Sequence, residues 1–214
     1  STSTSVRGWN SVSRSRRAAV RHTLFQPLTL VEVEWNEQRK ANLKRPTAAR
    51  AVQPFASLPY EPSKLAIALF LADFLHHAVR SEQDASDVFG YVVDSLQWLD
   101  ACPSSYANFH LVFMTMLTRL VGIAPDEETY AAGSWLDLRE GCFTLLRPAH
   151  QDVAQPEVAR RIALFLRGGF EGVAMPMNRD ERNCCLDALM DYYRLHLPSF
   201  PELKSVAVLR QLFQ

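Results

Sequence analysis

The sequence has few of the residues that build metal or disulfide sites. Its 214 residues include only four cysteines, and no two of them form a Cys-x-x-Cys pair. This usage predicts reduced thiols in a cytoplasmic protein and excludes a regular disulfide framework. Apolar runs are short as well: none reaches the roughly 18 to 20 residues that cross a bilayer, and no signal-peptide core precedes them. We therefore expect no metal cofactor, no membrane contact and a cytoplasmic location.

Glycine is also scarce. The eight glycines are scattered, so the chain contains no glycine-rich phosphate loop. The candidate nucleophiles and ligands are isolated, since Cys142 and His150 together would supply half of a zinc shell at best. Cys184 and Cys185 lie near a predicted helix start, which would favour a thiolate, but a buried packing role is the preferred interpretation. The sequence thus predicts a protein that is not an enzyme.

Acidic residues are missing from the first 28 positions, which hold five arginines. The whole chain is formally neutral, but residues 1–50 carry a net charge of +7 and the remaining residues −7. This split indicates a basic binding surface at one end and a protein-facing body at the other. Arginines on a loop can neutralise phosphates while Trp9 or Phe25 stacks on a base, so the pattern favours a nucleic-acid ligand. The structural alternatives are a solvated arginine loop and packing of Trp9 against a strand.

Apolar spacing divides the chain into a β-rich start and a helical remainder. Alternation predicts strands at 3–7 and 28–35 and one further strand around 42–52. Apolar stripes with a 3.6-residue period predict helices over most of the rest. The predicted helices begin at Pro62, after the caps Asp84 and Ser104, at Pro156 and after Asn178, whose capping box would include Glu181; a last helix covers 203–213. We therefore expect an α+β chain with a small β domain and its linker at 1–55 and a mainly helical domain at 56–214.

An irregular insertion interrupts the helical pattern near residues 133–150. The helical pattern breaks after Pro125, and residues 135–146 are interpreted as a hairpin or an irregular insertion. Asp137, Arg139 and Glu140 alternate with apolar neighbours and are expected on its solvated face.

Five short motifs together carry a family resemblance. They are Val6-Arg7-Gly8 with the basic loop behind it, residues 24–34, residues 64–75, Asn108-Phe109-His110-Leu111 and Leu203-Lys204-Ser205. In this order, over nearly the whole chain, they resemble RecO, a family of bacterial recombination mediators; residues 135–143, 178–198 and 203–213 resemble its Bacteroides-group members most. The resemblance implies an OB-fold β-barrel of five strands followed by an α-helical domain. It also implies single-stranded DNA binding, strand annealing and, with RecR, loading of RecA onto SSB-coated DNA in a cytoplasmic, nucleoid-associated protein.

The resemblance assigns roles to the N-terminal arginines. Arg7, Arg14, Arg16, Arg17 and Arg21 match the basic loop of the family and would hold the phosphates of single-stranded DNA.

The resemblance also implies a partner site in the helical domain. In several relatives this domain receives the acidic, Phe-ending tail of SSB in an apolar pocket with basic flanks, and the third predicted helix is its natural place. Asn108 stands about where a relative carries an arginine, and Arg119 remains on that helix. Lys204 matches the lysine of the C-terminal Leu-Lys-Ser, with a solvated helix start as the alternative. The apolar residues of the third helix, Phe113, Met116 and Leu120, are better explained as ordinary core.

Two departures from the family limit these expectations. Many relatives place a four-cysteine zinc module where this chain has residues 133–172, which hold only Cys142, so we predict that the metal is absent and apolar packing holds the insertion. The resemblance also implies that the sequence begins within the barrel. Two rival hypotheses stay open: a helical scaffold whose arginine loop meets an acidic protein, and an RNA-processing cofactor that reads the 2′-hydroxyl.

Overall fold

The computed structural model describes residues 28–35, 46–52, 55–79 and 85–212, and it is a mixed α and β structure dominated by helices. The predicted strand at 3–7, the five N-terminal arginines and the predicted cap Asp84 lie outside these residues. Within the described ranges no helix is both long and apolar enough to cross a membrane.

The first sheet is an antiparallel pair. Strand β1 (Val31–Trp35) pairs with β2 (Pro46–Ala51), with Val31 opposite Ala51. An ion pair between Glu32 and Arg50 joins neighbouring positions on the two strands. The strands predicted at 28–35 and 42–52 are therefore confirmed, with narrower bounds.

The described residues contain six α-helices, and most begin where the sequence predicts. They are α1 (Pro62–Ala78), α2 (Ala85–Ala101), α3 (Phe109–Leu120), α4 (Pro156–Gly168), α5 (Arg179–His196) and α6 (Ser205–Leu209). Proline opens α1 and α4 because the first helical N–H needs no partner within the helix. Asn178 caps α5: its side chain accepts from the Glu181 N–H, and the Glu181 carboxylate accepts from the Asn178 N–H. The predicted capping box is confirmed.

Helix α3 lies at the centre of the helical core. It contacts α2, α4 and α5, and every residue from Phe109 to Thr115 is buried, so the helix is covered on all sides. The rings of Trp98, Phe109 and Phe170 stack with centroids 5.4 to 5.7 Å apart. This packing fixes the N-terminal end of α3 against the segment that follows α4.

Two predicted helices have the wrong bounds. Helix α3 begins at Phe109 with Asn108 as its cap, and not after Ser104, because Ser105 has a φ of +61°, which a right-handed helix cannot contain. Helix α6 covers only Ser205–Leu209 of the predicted 203–213.

The insertion forms a second, three-stranded sheet. Strands β3 (Trp135–Asp137), β4 (Cys142–Thr144) and β5 (Val153–Ala154) are antiparallel in the order β4-β3-β5. Of the two alternatives for 135–146, the structure has the hairpin, formed by β3 and β4. Strand β5 was not predicted, because two residues are too few to show alternation. In the β3–β4 turn Gly141 has a φ of +66°, and a Cβ there would lie 2.7 Å from the Tyr192 hydroxyl. That hydroxyl donates to the Ile123 carbonyl at 2.7 Å, so the turn is seated on α5.

Asp137 does not lie on a solvated face, which corrects the sequence prediction. The residue is 7% exposed, and its carboxylate accepts from the backbone N–H groups of Arg139 and Glu140. Its Oδ2 lies 3.1 Å from Nε2 of His150. Burial alone would raise the pKa of Asp137, but these bonds and His150 lower it below the ordinary value. Arg139 and Glu140 are exposed as predicted.

Candidate functional site

A pocket of about 200 Å³ opens where the start of α3 faces the segment before α5. It is lined by Ser105, Ala107, Asn108, residues 173–177 and Arg182. Apart from Arg182 the wall consists of apolar or uncharged residues, and it contains no carboxylate. Such a pocket suits an apolar group attached to an anion.

Asn108 holds this wall in place. The residue is 3% exposed, and its Nδ2 donates to the carbonyls of Val173 at 3.1 Å and Met175 at 2.6 Å. Its Oδ1 is buried without a hydrogen-bond partner. Asn108 therefore ties the Val173–Met175 stretch to α3 and does not extend its amide into the opening.

Ser105 borders the pocket with a strained backbone. Its φ of +61° costs energy for a residue with a Cβ, and such conformations persist where the surrounding structure fixes them. Residues held in this way cluster at ligand sites.

Arg182 supplies the charge of the pocket. It lies in the second turn of α5, and its Nη1 donates to the Met177 carbonyl at 2.6 Å. Burial lowers the pKa of Arg182, which Glu181 partly opposes, but a guanidinium stays charged at neutral pH. The Glu181 carboxylate is itself bonded to Arg161, whose side chain is buried. The wall thus keeps its positive charge.

His110, two residues after Asn108 in α3, is a neutral group. It is 3% exposed, and burial together with the Arg182 charge lowers the pKa of His110 to about 3. A histidine that stays neutral at pH 7 adds no charge to the site, which leaves Arg182 as the cation of the wall.

The other two predicted partner-site residues lie away from the pocket lining. At the C-terminal end of α3, Arg119 donates to Glu127 Oε2 at 2.7 Å and to the Leu166 carbonyl at 3.0 Å, so it joins α3 to α4. Lys204 is exposed and directly precedes α6. The residues predicted to hold DNA, Arg7, Arg14, Arg16, Arg17 and Arg21, are outside the described part of the chain.

The hairpin region does not offer a zinc shell. His150 contacts Asp137, and the described ranges contain no group of three or more His, Cys, Asp or Glu side chains that could hold a metal ion. In α5, Cys184 is exposed, whereas burial raises the pKa of the Cys185 thiol to about 12. A thiol with that pKa is a packing group and not a nucleophile.

Sequence reasoning missed the charged residue of the pocket and its methionine wall. Arg182 follows the capping box by one residue, and Met175 and Met177 flank Pro176 just before it. Flexible methionines beside an arginine at a helix start are the signal that could have indicated a binding wall.

Comparison with known proteins identifies the class of the helical part. Residues 59–206 match the family described as "Recombination protein O C terminal", which is the range of α1 to the start of α6 together with the hairpin. The chain belongs to the RecO family. It is 46% identical to the DNA repair protein RecO of Phocaeicola vulgatus over 204 residues, covering 95% of this chain and 85% of that protein. The identity to the DNA repair protein RecO of Bacteroides fragilis is 45%, and to that of Porphyromonas gingivalis 32%, with 95% of this chain covered in both cases.

Proposed function

We propose that the protein is a recombination mediator of DNA repair. In this role it binds single-stranded DNA, promotes annealing and, together with RecR, loads RecA onto DNA coated with SSB. The observation that carries the proposal is membership of the RecO family, with 46% identity to a protein named DNA repair protein RecO. The role requires charge and surfaces and no nucleophile, so the protein is not an enzyme.

The DNA-binding part of the proposal rests on the N-terminal arginines. Five arginines and no acid occupy the first 28 residues. The β1–β2 pair that follows would form part of an OB-fold barrel, a fold that presents a strand face and loops to oligonucleotides. A basic surface that neutralises two strands at once lowers their repulsion, which promotes annealing.

The partner part of the proposal rests on the pocket at the start of α3. We expect it to receive the acidic, Phe-ending tail of SSB, because apolar and uncharged polar groups line it together with one cation and no acid. RecR would bind elsewhere on the protein. The protein would act in the cytoplasm at the nucleoid, where its DNA substrate lies.

The protein would need no cofactor. The apolar packing of the hairpin supports this proposal: Leu136, Leu138 and Phe143 are buried, and the Tyr130 ring packs edge-on against Phe143 with the ring centroids 5.3 Å apart.

Salt-dependent DNA binding tests the proposal. Fluorescence anisotropy of a labelled single-stranded oligonucleotide would be measured over a salt series for the wild type and for Arg14/Arg16/Arg17→Ala. Each phosphate contact contributes about −0.7 to the slope of log K against log salt for single strands, so the variant should flatten the slope by about 2.

The matched control removes the same charge from the helical domain through Arg147/Arg160/Arg194→Ala, and it should bind as the wild type does. No binding at low salt would contradict the mediator role and favour a protein scaffold. Stronger binding to an RNA oligonucleotide of the same sequence would favour the RNA-processing cofactor.

A further inference from the structure

We infer that the outer face of α1 is a homodimer interface, against which a second copy of this chain packs its own α1 in antiparallel orientation. The outer face is one stripe of exposed or half-buried positions along the helix: Pro62, Leu65, Leu69, Ala72 and His76. Within it, Leu65 is 39% and Leu69 45% exposed. The interface depends neither on the pocket at the start of α3 nor on the N-terminal arginines.

Helix α1 is apolar on its outer side as well as on its core side. Residues 65–72 are all apolar, and the core side is filled by buried rings such as Phe70 and Phe74. A helix that is apolar all round is normally covered on all sides. Helix α1 contacts α2 and α6, yet Leu65 and Leu69 stay exposed. The composition of α1 therefore indicates that a further neighbour covers its outer face.

An exposed leucine elsewhere in the helical domain has different surroundings. On α4, Leu164 is exposed with the exposed Arg160 and Arg167 one turn to either side of it. A single exposed leucine among charges is ordinary protein surface. On α1 no charged residue occurs within residues 65–72. The outer face is therefore an apolar surface that charges do not interrupt.

The spacing of the outer face suits a helix as the partner. Its positions follow one another at intervals of three and four residues, which is the spacing along which one helix packs on another. Leu65 and Leu69 lie one turn apart, and the small side chains of Ala66 and Ala72 beside them leave room for the leucines of a partner helix. A helix of 17 residues is about 25 Å long, so a contact along it is small and the dimer is weak.

The two ends of the outer face complement each other, which favours a second copy of the chain as the partner. The N-terminal end has the partly exposed carboxylate of Glu61, and the C-terminal end has His76 and His77. In an antiparallel twofold pair, Glu61 of each copy lies beside the imidazole N–H donors of the other. Glu61 accepts from the Tyr106 hydroxyl and lies 3.4 Å from Lys64 Nζ, and a carboxylate can accept further bonds. A parallel pair would bring the two carboxylates together, which is unfavourable.

Leu69 lies at the middle of the outer face, midway between Pro62 and His76. The twofold axis of an antiparallel pair therefore passes near Leu69, where the two copies of this side chain meet. The acid one turn further along, Asp73, is held by α6, because its Oδ2 accepts from the Ser205 hydroxyl at 2.6 Å. It therefore does not oppose the contact.

A dimer of this kind would carry two copies of the arginine-rich start of the chain. In the proposed annealing role, two basic segments on one particle could neutralise two strands at once. This consequence rests on the proposed function, whereas the interface itself does not.

The test measures the association of the full-length protein by sedimentation velocity, over about 1 to 100 µM because an interface of this size is weak. The proteins are the wild type, Leu69→Glu, Leu69→Lys and the matched control Leu195→Glu, which changes a leucine of 44% exposure on α5. We expect the wild type and Leu195→Glu to shift from monomer towards dimer within this range. Each Leu69 variant should weaken association by more than about tenfold, because like charges meet at the axis.

An equimolar mixture of Leu69→Glu and Leu69→Lys shows whether the outer face meets itself. Opposite charges meet in the mixed pair, so the mixture should associate more tightly than either variant alone. This recovery also excludes unfolding as the cause of the loss, and circular dichroism of each variant should match that of the wild type.

Three results would overturn the inference: a wild type that stays monomeric at the highest concentration, Leu69 variants that associate as the wild type does, or a mixture that does not recover. None of them touches the proposed function, because the binding of single-stranded DNA is measured separately.

Discussion

Half-buried Asp100 and buried Lys64 fix the segment that leads into the helical domain. The Asp100 carboxylate accepts from the backbone N–H groups of Ala56, Ser57 and Leu58, at 2.7 to 2.8 Å. Lys64 is 1% exposed, and its Nζ donates to the Ser57 hydroxyl and the Asp100 carbonyl. Replacing Asp100 therefore leaves three backbone N–H donors without this acceptor.

We expect Asp100→Ala to lower the free energy of unfolding by about 2 kcal/mol, because three backbone donors lose a charged acceptor. Urea unfolding followed by circular dichroism measures this. Asp94→Ala is the control, since Asp94 is exposed on the same helix and its replacement should change stability by less than about 0.5 kcal/mol.

The pH dependence of the stability difference between the wild type and Asp100→Ala gives a second test. Burial would raise the pKa of Asp100, but the backbone donors lower it below its ordinary value of 3.8. A lowered pKa stabilises the folded state above the ordinary value, and this contribution is lost as pH falls through the folded-state value. The gap between wild type and Asp100→Ala should therefore shrink below about pH 4, and a constant gap would contradict the assignment.

At the scale of the elements, the hairpin behaves as a small apolar core. We expect Phe143→Ala to cost about 3 kcal/mol, since Phe143 is 4% exposed, and Leu146→Ala to cost almost nothing, since Leu146 is 82% exposed. Treatment with EDTA should leave the melting temperature unchanged, and the purified protein should hold no stoichiometric zinc. One zinc per chain by elemental analysis would show that a metal supports the hairpin.

The elements also show what the sequence could predict. Proline at Pro62 and Pro156 and the Asn178–Glu181 box are local signals, so the starts of α1, α4 and α5 follow from a few neighbouring residues. The start of α3 depends on the left-handed backbone conformation of Ser105. The sequence does not indicate this conformation, because serine seldom adopts a positive φ. Asp137 reads as a surface residue, because its partners, two backbone N–H groups and His150, come together only in the folded turn.

The predicted partner site stays a prediction. Asn108 lines a pocket at the start of the third helix, whereas Arg119 and Lys204 do not. Arg182 comes from a helix 74 positions further along the chain, and only the packing of α3 beside α5 brings it there. The spacing of residues within one helix carries no information of this kind.

At the scale of the whole molecule, the two proposed binding sites lie in different parts of the sequence. The arginine-rich start precedes residue 28, while the pocket lies between residues 105 and 182. We expect Arg14/Arg16/Arg17→Ala to lose affinity for single-stranded DNA and to keep affinity for an acidic peptide that ends in Phe. We expect Arg182→Gln to lose affinity for this peptide and to keep affinity for single-stranded DNA. Anisotropy with both probes on both variants measures this, and a parallel loss in either variant would mean that the two sites are one surface.

The contact between Gly141 and Tyr192 limits how the hairpin can be exchanged. Any side chain at position 141 would meet the Tyr192 hydroxyl, which also holds the Ile123 carbonyl. A hairpin transplanted from a relative can therefore be accepted only if it brings a glycine to this turn or if position 192 is changed with it. Positions 141 and 192 must therefore be chosen together in a chimaera, although they are 51 residues apart in the chain.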